Sequence, residues 1–117
     1  MSVLATVMVG LVAVAHAWFL VLEMFLWTTP FGLKTFKMTA EKANATAVMA
    51  KNQGLYNGFL VAGLVWGLWT RSTSIETFFL SCVVVAGLYG AVTASRAILF
   101  VQALPGIVAL ALVQLAR

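Results

Sequence analysis

Four apolar blocks constrain the fold of this chain more than any other feature of its sequence. They lie at about 3–27, 52–70, 75–94 and 97–116. Each is close to the roughly 20 residues that a helix needs to cross the hydrocarbon core of a bilayer. The chain is 63% hydrophobic and 9% charged, whereas soluble domains are about 45–50% apolar and about 25% charged. The sequence therefore predicts an all-α membrane protein, a four-transmembrane-helix bundle forming one domain over residues 1–117.

The basic residues indicate an orientation in the membrane rather than a nucleic-acid partner. The net charge is +4, and the basic side chains fall between the apolar blocks, where they fix topology. Five lie on one predicted side and two on the other: Lys34, Lys37, Lys42, Lys51 and Arg96 against Arg71 and Arg117. Because loops rich in Lys and Arg stay in the cytoplasm, we expect a multi-pass protein of the cytoplasmic (inner) membrane with both termini outside.

The start of the first block also carries the pattern of a cleaved signal peptide. An apolar run leads to 15-AHA-17, which matches a small-residue cleavage site. However, no Lys or Arg precedes the run, and the apolar stretch continues to Trp27. We therefore expect this block to stay in the protein as its first helix.

The connection at 28–51 is the one long segment between blocks. We expect Pro30 and Gly32 to end the first helix, since proline cannot continue the hydrogen-bond ladder and glycine weakens it. From Thr39 onward the composition favours helix. This part either projects the second membrane helix into water or lies along the membrane surface.

A histidine and a glutamate interrupt the first block in the run 16-HAWFLVLEMFLW-27. They are seven residues apart, which is about 20° around a helix, so His16 and Glu23 share one face. Glu23 lies near the predicted cytoplasmic end, and His16 lies about 10 Å deeper. Ionisable groups inside a membrane usually face a bundle interior or a wet cavity. The pair therefore predicts a polar pocket.

The other three blocks place polar residues at about the depth of Glu23, while the outer half is almost purely apolar. Glu23 and Arg96 are expected charge partners. Three simpler explanations stay open: helix-start positions for Asn52 and Gln53, a snorkelling anchor for Arg96, and a structural Glu–Arg bridge beside a hydrogen-bonded histidine. The predicted ligand-binding or proton-carrying residues are Glu23, His16, Asn52, Gln53, Tyr56, Asn57, Tyr89, Thr93, Arg96 and Gln102.

The sequence contains none of the common catalytic or metal-binding motifs H-x-x-x-H, C-x-x-C and G-x-S-x-G. A metal held by one histidine and one membrane glutamate would need further ligands from another subunit. We therefore expect no metal and no cofactor.

Several runs resemble a family of small bacterial four-helix membrane proteins catalogued as domain of unknown function 1304. The resemblance covers nearly the whole chain, and it implies a fold and a membrane location without an activity. All predicted site residues except Arg96 lie in the matching runs. These runs are H-A-W-F-L-V-L-E-M-F-L-W, N-Q-G-L-Y-N-G-F-L-V-A-G-L, A-G-L-Y-G-A-V-T and V-Q-A-L-P-G.

Three functions fit the predicted pocket. The first is binding, with proton-coupled transport as an extension, of a small molecule, an ion or a lipid headgroup. Glu23 would bind the ion or carry the proton, and His16 would be a deeper relay because histidine titrates near neutral pH. The second is an intramembrane isomerase for a lipid-like substrate, with His16 and Glu23 as acid and base. The third is a structural partner subunit. We also expect a homodimer, because the chain is small and carries pairs of glycines at close-packing spacing.

Overall fold

The computed structural model describes residues 2–116, and within that range it is all-α, as predicted. Met1 and Arg117 lie outside the described residues, so the contribution of Arg117 to the predicted orientation stays a prediction. The described part contains five α-helices and one π-helical segment. They are α1 (Val3–Met24), α2 (Pro30–Phe36), α3 (Ala40–Thr70), α4 (Thr73–Thr93), the π segment (Leu99–Ala103) and α5 (Leu104–Leu115).

Two of these helices, α1 and α4, are long and apolar enough to cross a membrane, judged by length and composition. The π segment and α5 together form a shorter apolar helix, Leu99–Leu115. The chain therefore carries two candidate membrane spans among its described residues.

The connection after α1 differs from the prediction, because Pro30 begins a helix there instead of ending one. Thr29 caps α2, and its hydroxyl accepts a 3.2 Å hydrogen bond from the backbone N–H of Gly32. Proline suits the first position of a helix, where its missing N–H would have no partner within the helix anyway. Gly32 lies against the carbonyl oxygens of Leu26 and Trp27, and a Cβ at this position would collide with both. Glycine is therefore needed here for close packing.

The second half of the connection is helical, as its composition favoured, and its placement in water or along the membrane surface stays a prediction. α3 runs without a break from Ala40 to Thr70 over 31 residues, so it begins well before the predicted start at 52. The hydroxyl of Thr39 accepts a 3.1 Å hydrogen bond from the backbone N–H of Lys42 in the first turn. The polar segment is thus an extension of the second apolar helix.

The chain divides into two compact units. We call residues 15–59 the mid-chain unit, and residues 2–14 together with 60–116 the terminal unit. α1 and α3 each contribute residues to both units. The terminal unit contains a hydrophobic core, whose most buried side chains are Ala5, Val9, Val12, Leu64, Leu80, Val83, Ala109 and Val113.

Within the terminal unit, α4 meets the π segment at small residues. A Cβ on Gly87 would lie 2.9 Å from the backbone nitrogen of Ala103 and 3.0 Å from its Cα, so the two backbones are in direct contact. The π segment ends two residues before Pro105, whose missing N–H and bulky ring disturb the regular helical ladder. On this segment Gln102 donates a 3.1 Å hydrogen bond from Nε2 to the carbonyl oxygen of Val83.

Candidate functional site

The mid-chain unit brings together Glu23 of α1 and Asn57 of α3, two of the predicted site residues. Nδ2 of Asn57 donates a 2.6 Å hydrogen bond to Oε1 of Glu23. The bond links residues 34 positions apart in the chain and lies in a partly buried place. A short bond of this kind to a carboxyl group is among the stronger hydrogen bonds in proteins when the carboxyl is ionised. It holds the Glu23 side chain in one orientation.

Glycine allows the close approach of α1 and α3 at this bond. Gly54 lies on α3, close to one turn before Asn57, and a Cβ there would collide with Cγ of Met24. The same Cβ would come within 3.3 Å of Glu23 Cβ and of the carbonyl oxygen of Leu20. Small residues are the usual means by which helices pack this closely in membranes. The packing glycine and the polar contact therefore belong to one helix interface within the unit.

A cleft of about 350 Å³ opens beside Glu23. Its volume falls within the range of about 300–1,000 Å³ that is typical of small-molecule sites. The apolar lining residues are aromatic, methionine and alanine side chains, and the polar ones supply both charges, a hydroxyl and an amide. The lining residues are Glu23, Trp27, Phe36, Met38, Lys42, Thr46, Met49, Ala50 and Gln53.

The indole ring of Trp27 is held in place at the wall of this cleft. Its Nε1 donates a 3.0 Å hydrogen bond to Oγ1 of Thr46. The Thr46 hydroxyl in turn donates to the carbonyl oxygen of Lys42 at 2.8 Å. On its face, the indole packs against Phe36 with ring centroids 4.7 Å apart. Because the polar N–H is satisfied, the ring offers a rigid apolar surface.

The charges of the cleft differ in exposure. Glu23 is half-buried, whereas Lys42 is exposed. A half-buried carboxyl can accept hydrogen bonds from an amine or hydroxyl, and an exposed ammonium can pair with an anionic group. The arrangement therefore suits a ligand with a polar head and an apolar body.

His16 lies on α1 at the expected spacing from Glu23, but it does not line the cleft among the described residues. Its side chain is buried, with 1% of its surface exposed. The imidazole packs edge to face against Phe19, with ring centroids 5.1 Å apart. His16 is thus an interior residue of the mid-chain unit.

Three further predicted residues lie on α3 in the mid-chain unit. Gln53 lines the cleft with Glu23. Asn52 and Tyr56 are exposed, and the Tyr56 ring lies edge to face with Phe59 at 6.0 Å. The structure therefore brings Gln53, and not its neighbours Asn52 and Tyr56, into the lining.

The remaining predicted residues belong to the terminal unit. Tyr89, Thr93 and Arg96 are exposed, and the Thr93 hydroxyl donates a 2.7 Å hydrogen bond to the carbonyl oxygen of Tyr89. Gln102 is partly buried and bonds to α4, as described above. The proposed charge pairing of Glu23 with Arg96 stays a prediction.

Several cleft residues on α3 were missed by the sequence analysis, although the sequence holds a signal for them. Lys42, Thr46, Met49 and Gln53 follow one another at spacings of four, three and four residues, which places them on one face of a helix. The signal becomes visible only if α3 is extended back to Ala40. With the predicted start at 52, Lys42, Thr46 and Met49 fall in the connection at 28–51.

A buried polar group also lies at the start of α4, in a region predicted to be almost purely apolar. Glu76 is buried in the terminal unit, with 0% of its surface exposed. Next to it in the chain, Thr77 accepts a 2.7 Å hydrogen bond from Nε2 of Gln114. The expectation of an apolar outer half was therefore wrong for this end of α4.

Comparisons with known proteins give a family and one relative. A family profile described as "Protein of unknown function (DUF1304)" matches residues 10–114. The chain is also similar to "Uncharacterized protein YpaA" of Lactococcus lactis subsp. lactis (strain IL1403), with 29% identity over 117 residues, covering 97% of each chain. No solved structure matches the chain.

Proposed function

Because the chain belongs to the DUF1304 family of proteins of unknown function, as its sequence runs predicted, we propose a function from its own residues. The protein is a membrane protein that binds a small molecule or lipid headgroup in the cleft beside Glu23. One observation carries this proposal: the Glu23 carboxyl, held by Asn57 at 2.6 Å, lies in the wall of a cleft of about 350 Å³.

The chemistry of the lining narrows the class of ligand. Trp27 and the methionines favour an apolar body, since aromatic and thioether side chains bind such groups by surface contact. Glu23 favours an amine or another hydrogen-bond donor, and Lys42 favours an anionic group. A zwitterionic lipid headgroup, with an ammonium and a phosphate on one apolar molecule, satisfies all three features.

The proposal includes four spanning helices in the cytoplasmic membrane. α1 and α4 are the candidate spans, and the apolar helix Leu99–Leu115 and the second half of α3 complete the set. At about 1.5 Å per residue, α3 is about 46 Å long, which exceeds the roughly 30 Å hydrocarbon core. Its lysine-bearing first part therefore extends into the cytoplasm, so the cleft opens on that side and both termini lie outside.

A homodimer is part of the same proposal. One chain of 117 residues encloses little volume between four helices, and association in the membrane would enlarge the buried interior. Crosslinking in native membranes should give a dimer, and a result showing only monomer would contradict this part alone.

Binding fits the site better than an isomerase does. An acid–base pair must reach one substrate, within hydrogen-bond distance of the protons that move. Glu23 lines the cleft, whereas His16 is buried against Phe19. The carboxyl therefore has access to a ligand without the imidazole as its catalytic partner.

Fluorine NMR on protein labelled with fluorotryptophan tests the proposal. The Trp27 signal, assigned with Trp27→Phe, should move saturably when phosphatidylethanolamine is added to delipidated protein in detergent. Trp18, Trp66 and Trp69 serve as internal references, because none of them lines the cleft among the described residues. Glu23→Gln should abolish the movement, and Glu41→Gln, at an exposed position of α3, should preserve it. Equal movement in wild type and Glu23→Gln would reject Glu23 as the binding group.

A further inference from the structure

The terminal unit contains a second carboxyl group, which plays no part in the cleft of the mid-chain unit. Glu76 is buried with 0% of its surface exposed. Neither Oε1 nor Oε2 of Glu76 has a hydrogen-bond partner among residues 2–116. A buried carboxylate without donors is strongly unfavourable, because burial removes the water that solvates its charge. Glu76 therefore needs a proton or a bound cation in the folded protein.

Packing positions Glu76, and Gly67 of α3 makes room for it. A Cβ on Gly67 would lie 2.6 Å from Cγ of Glu76 and 3.1 Å from its backbone nitrogen. Glu76 lies in the first turn of α4, where its backbone N–H donates a 3.1 Å hydrogen bond to the carbonyl oxygen of Ser72. The backbone N–H of Glu76 is therefore satisfied, while its side chain is left without a donor.

Two polar side chains close to Glu76 in the chain, Ser72 and Thr77, have hydrogen bonds of their own. The Ser72 hydroxyl accepts from the backbone N–H of Ile75 at 3.2 Å, and the Thr77 hydroxyl accepts from Gln114. Residues 60–70 of α3 include no ionisable side chain, and Arg71, which follows them, is exposed. Glu76 thus has no charged neighbour on the helix against which it packs, and the positive charge that acts on it is that of the amino terminus.

These surroundings favour a proton over a metal cation. Calcium takes about six to eight oxygen ligands, and no group of three or more His, Cys, Asp or Glu among the described residues could hold a metal. A proton needs a single carboxyl oxygen. The neutral acid also carries no charge, so it is compatible with the apolar core around Leu80.

We propose that Glu76 is a reversible proton-binding site of this protein. One carboxylate oxygen takes a proton from a hydronium ion, which leaves as water, and an O–H bond forms. The reverse transfer occurs when the end of α4 that carries Glu76 admits water. The site is separate from the Glu23 cleft, so either proposal can fail without the other.

The small number of acidic residues makes a direct experiment possible. The chain has three acidic side chains in all, so the variant Glu23→Gln/Glu41→Gln keeps Glu76 as its single acidic side chain. Infrared spectroscopy separates the C=O stretch of a carboxylic acid from the bands of a carboxylate. The double variant should show an acid band that shifts in deuterium oxide and converts reversibly to carboxylate as the pH rises. The triple variant with Glu76→Gln should lack this band. Because this variant keeps the C-terminal carboxyl, subtracting its spectrum removes the contribution of that group.

Three results would overturn the proposal. The first is a double variant with no acid band at any pH at which it is folded, and the second is an acid band that no pH changes. The third is a response that disappears when the amino terminus is acetylated, since the chain's own amine would then be the partner.

If the double variant does not fold, wild-type protein and Glu76→Gln, both carrying labelled glutamate, give the same comparison. Gly67→Ala should shift the band by displacing the carboxyl, whereas Gly10→Ala, with nothing within 4 Å of the added Cβ, should not.

Discussion

Asn57 on α3 donates a 2.6 Å hydrogen bond to Glu23 on α1, at a helix contact that Gly54 allows to be narrow. The bond provides a donor to a carboxyl group that lies in a largely apolar helix. It also fixes the side chain that forms the polar part of the cleft. Stability and binding should therefore both respond to changes at this contact.

Asn57→Ala should lower the free energy of unfolding by about 1–3 kcal/mol, because it leaves the partly buried Glu23 without its donor. Circular dichroism during unfolding in detergent measures the change. Asn44→Ala is the matched control, since Asn44 is exposed on the same helix. Equal stability of the two variants would show that the bond contributes nothing.

Gly54→Ala should lower the free energy of unfolding by about 1–3 kcal/mol, because the added methyl group overpacks the contact with Met24 and Glu23. Gly10→Ala has open space around the new Cβ, so helix propensity should raise stability by up to about 1 kcal/mol. The comparison uses the same unfolding measurement. The two variants should change the free energy of unfolding in opposite directions. A stabilised Gly54→Ala would contradict the close contact of α1 with α3 at Gly54.

Trp27→Phe and Thr46→Val each remove one partner of the 3.0 Å bond in the cleft wall. A double-mutant cycle should give a coupling free energy of about 0.5–1.5 kcal/mol, the usual net value of a hydrogen bond. Unfolding of the four proteins gives this coupling directly. Additive effects of the two changes would mean that the indole is not held by Thr46.

Gly87→Ala should destabilise the terminal unit by about 1–3 kcal/mol, since the new Cβ would press on the backbone of Ala103. Gly90→Ala meets only two methyl groups of the Ile98 side chain, Cδ1 at 3.2 Å and Cγ2 at 3.3 Å, and a side chain can move. The unfolding temperature of Gly87→Ala should therefore lie well below that of Gly90→Ala. A higher unfolding temperature for Gly87→Ala would contradict the close contact of α4 with the π segment at Gly87.

The sequence predicted the long apolar helices because their length and composition leave few alternatives, as α1 and α4 show. It did not predict α2, because proline is common both just after the end of a helix and at the first position of a new one. The Thr29 cap and the contact of Gly32 with two carbonyl oxygens decide the case. The cap is local, and Thr before Pro is a helix-start signal in the sequence, whereas the Gly32 contact depends on the path of the chain after α1.

The candidate site likewise has a part that the sequence predicted, and the buried Glu76 is a polar group that it did not predict. The Glu23–Asn57 contact joins two residues whose predicted depth marks them as site residues, because polar groups inside apolar helices are costly enough to stand out. Glu76 was missed, because a glutamate at the edge of an apolar block also fits the membrane surface. Its burial follows from the space beside Gly67, which no pattern along α4 reveals.

Native mass spectrometry of protein released directly from membrane vesicles tests the central claim, a ligand bound at Glu23, most directly. Wild type and Glu41→Gln should both carry a bound molecule of one defined mass, and Glu23→Gln should have lost it. A wild-type protein without any bound molecule, or the same molecule at equal occupancy in Glu23→Gln, would contradict the claim.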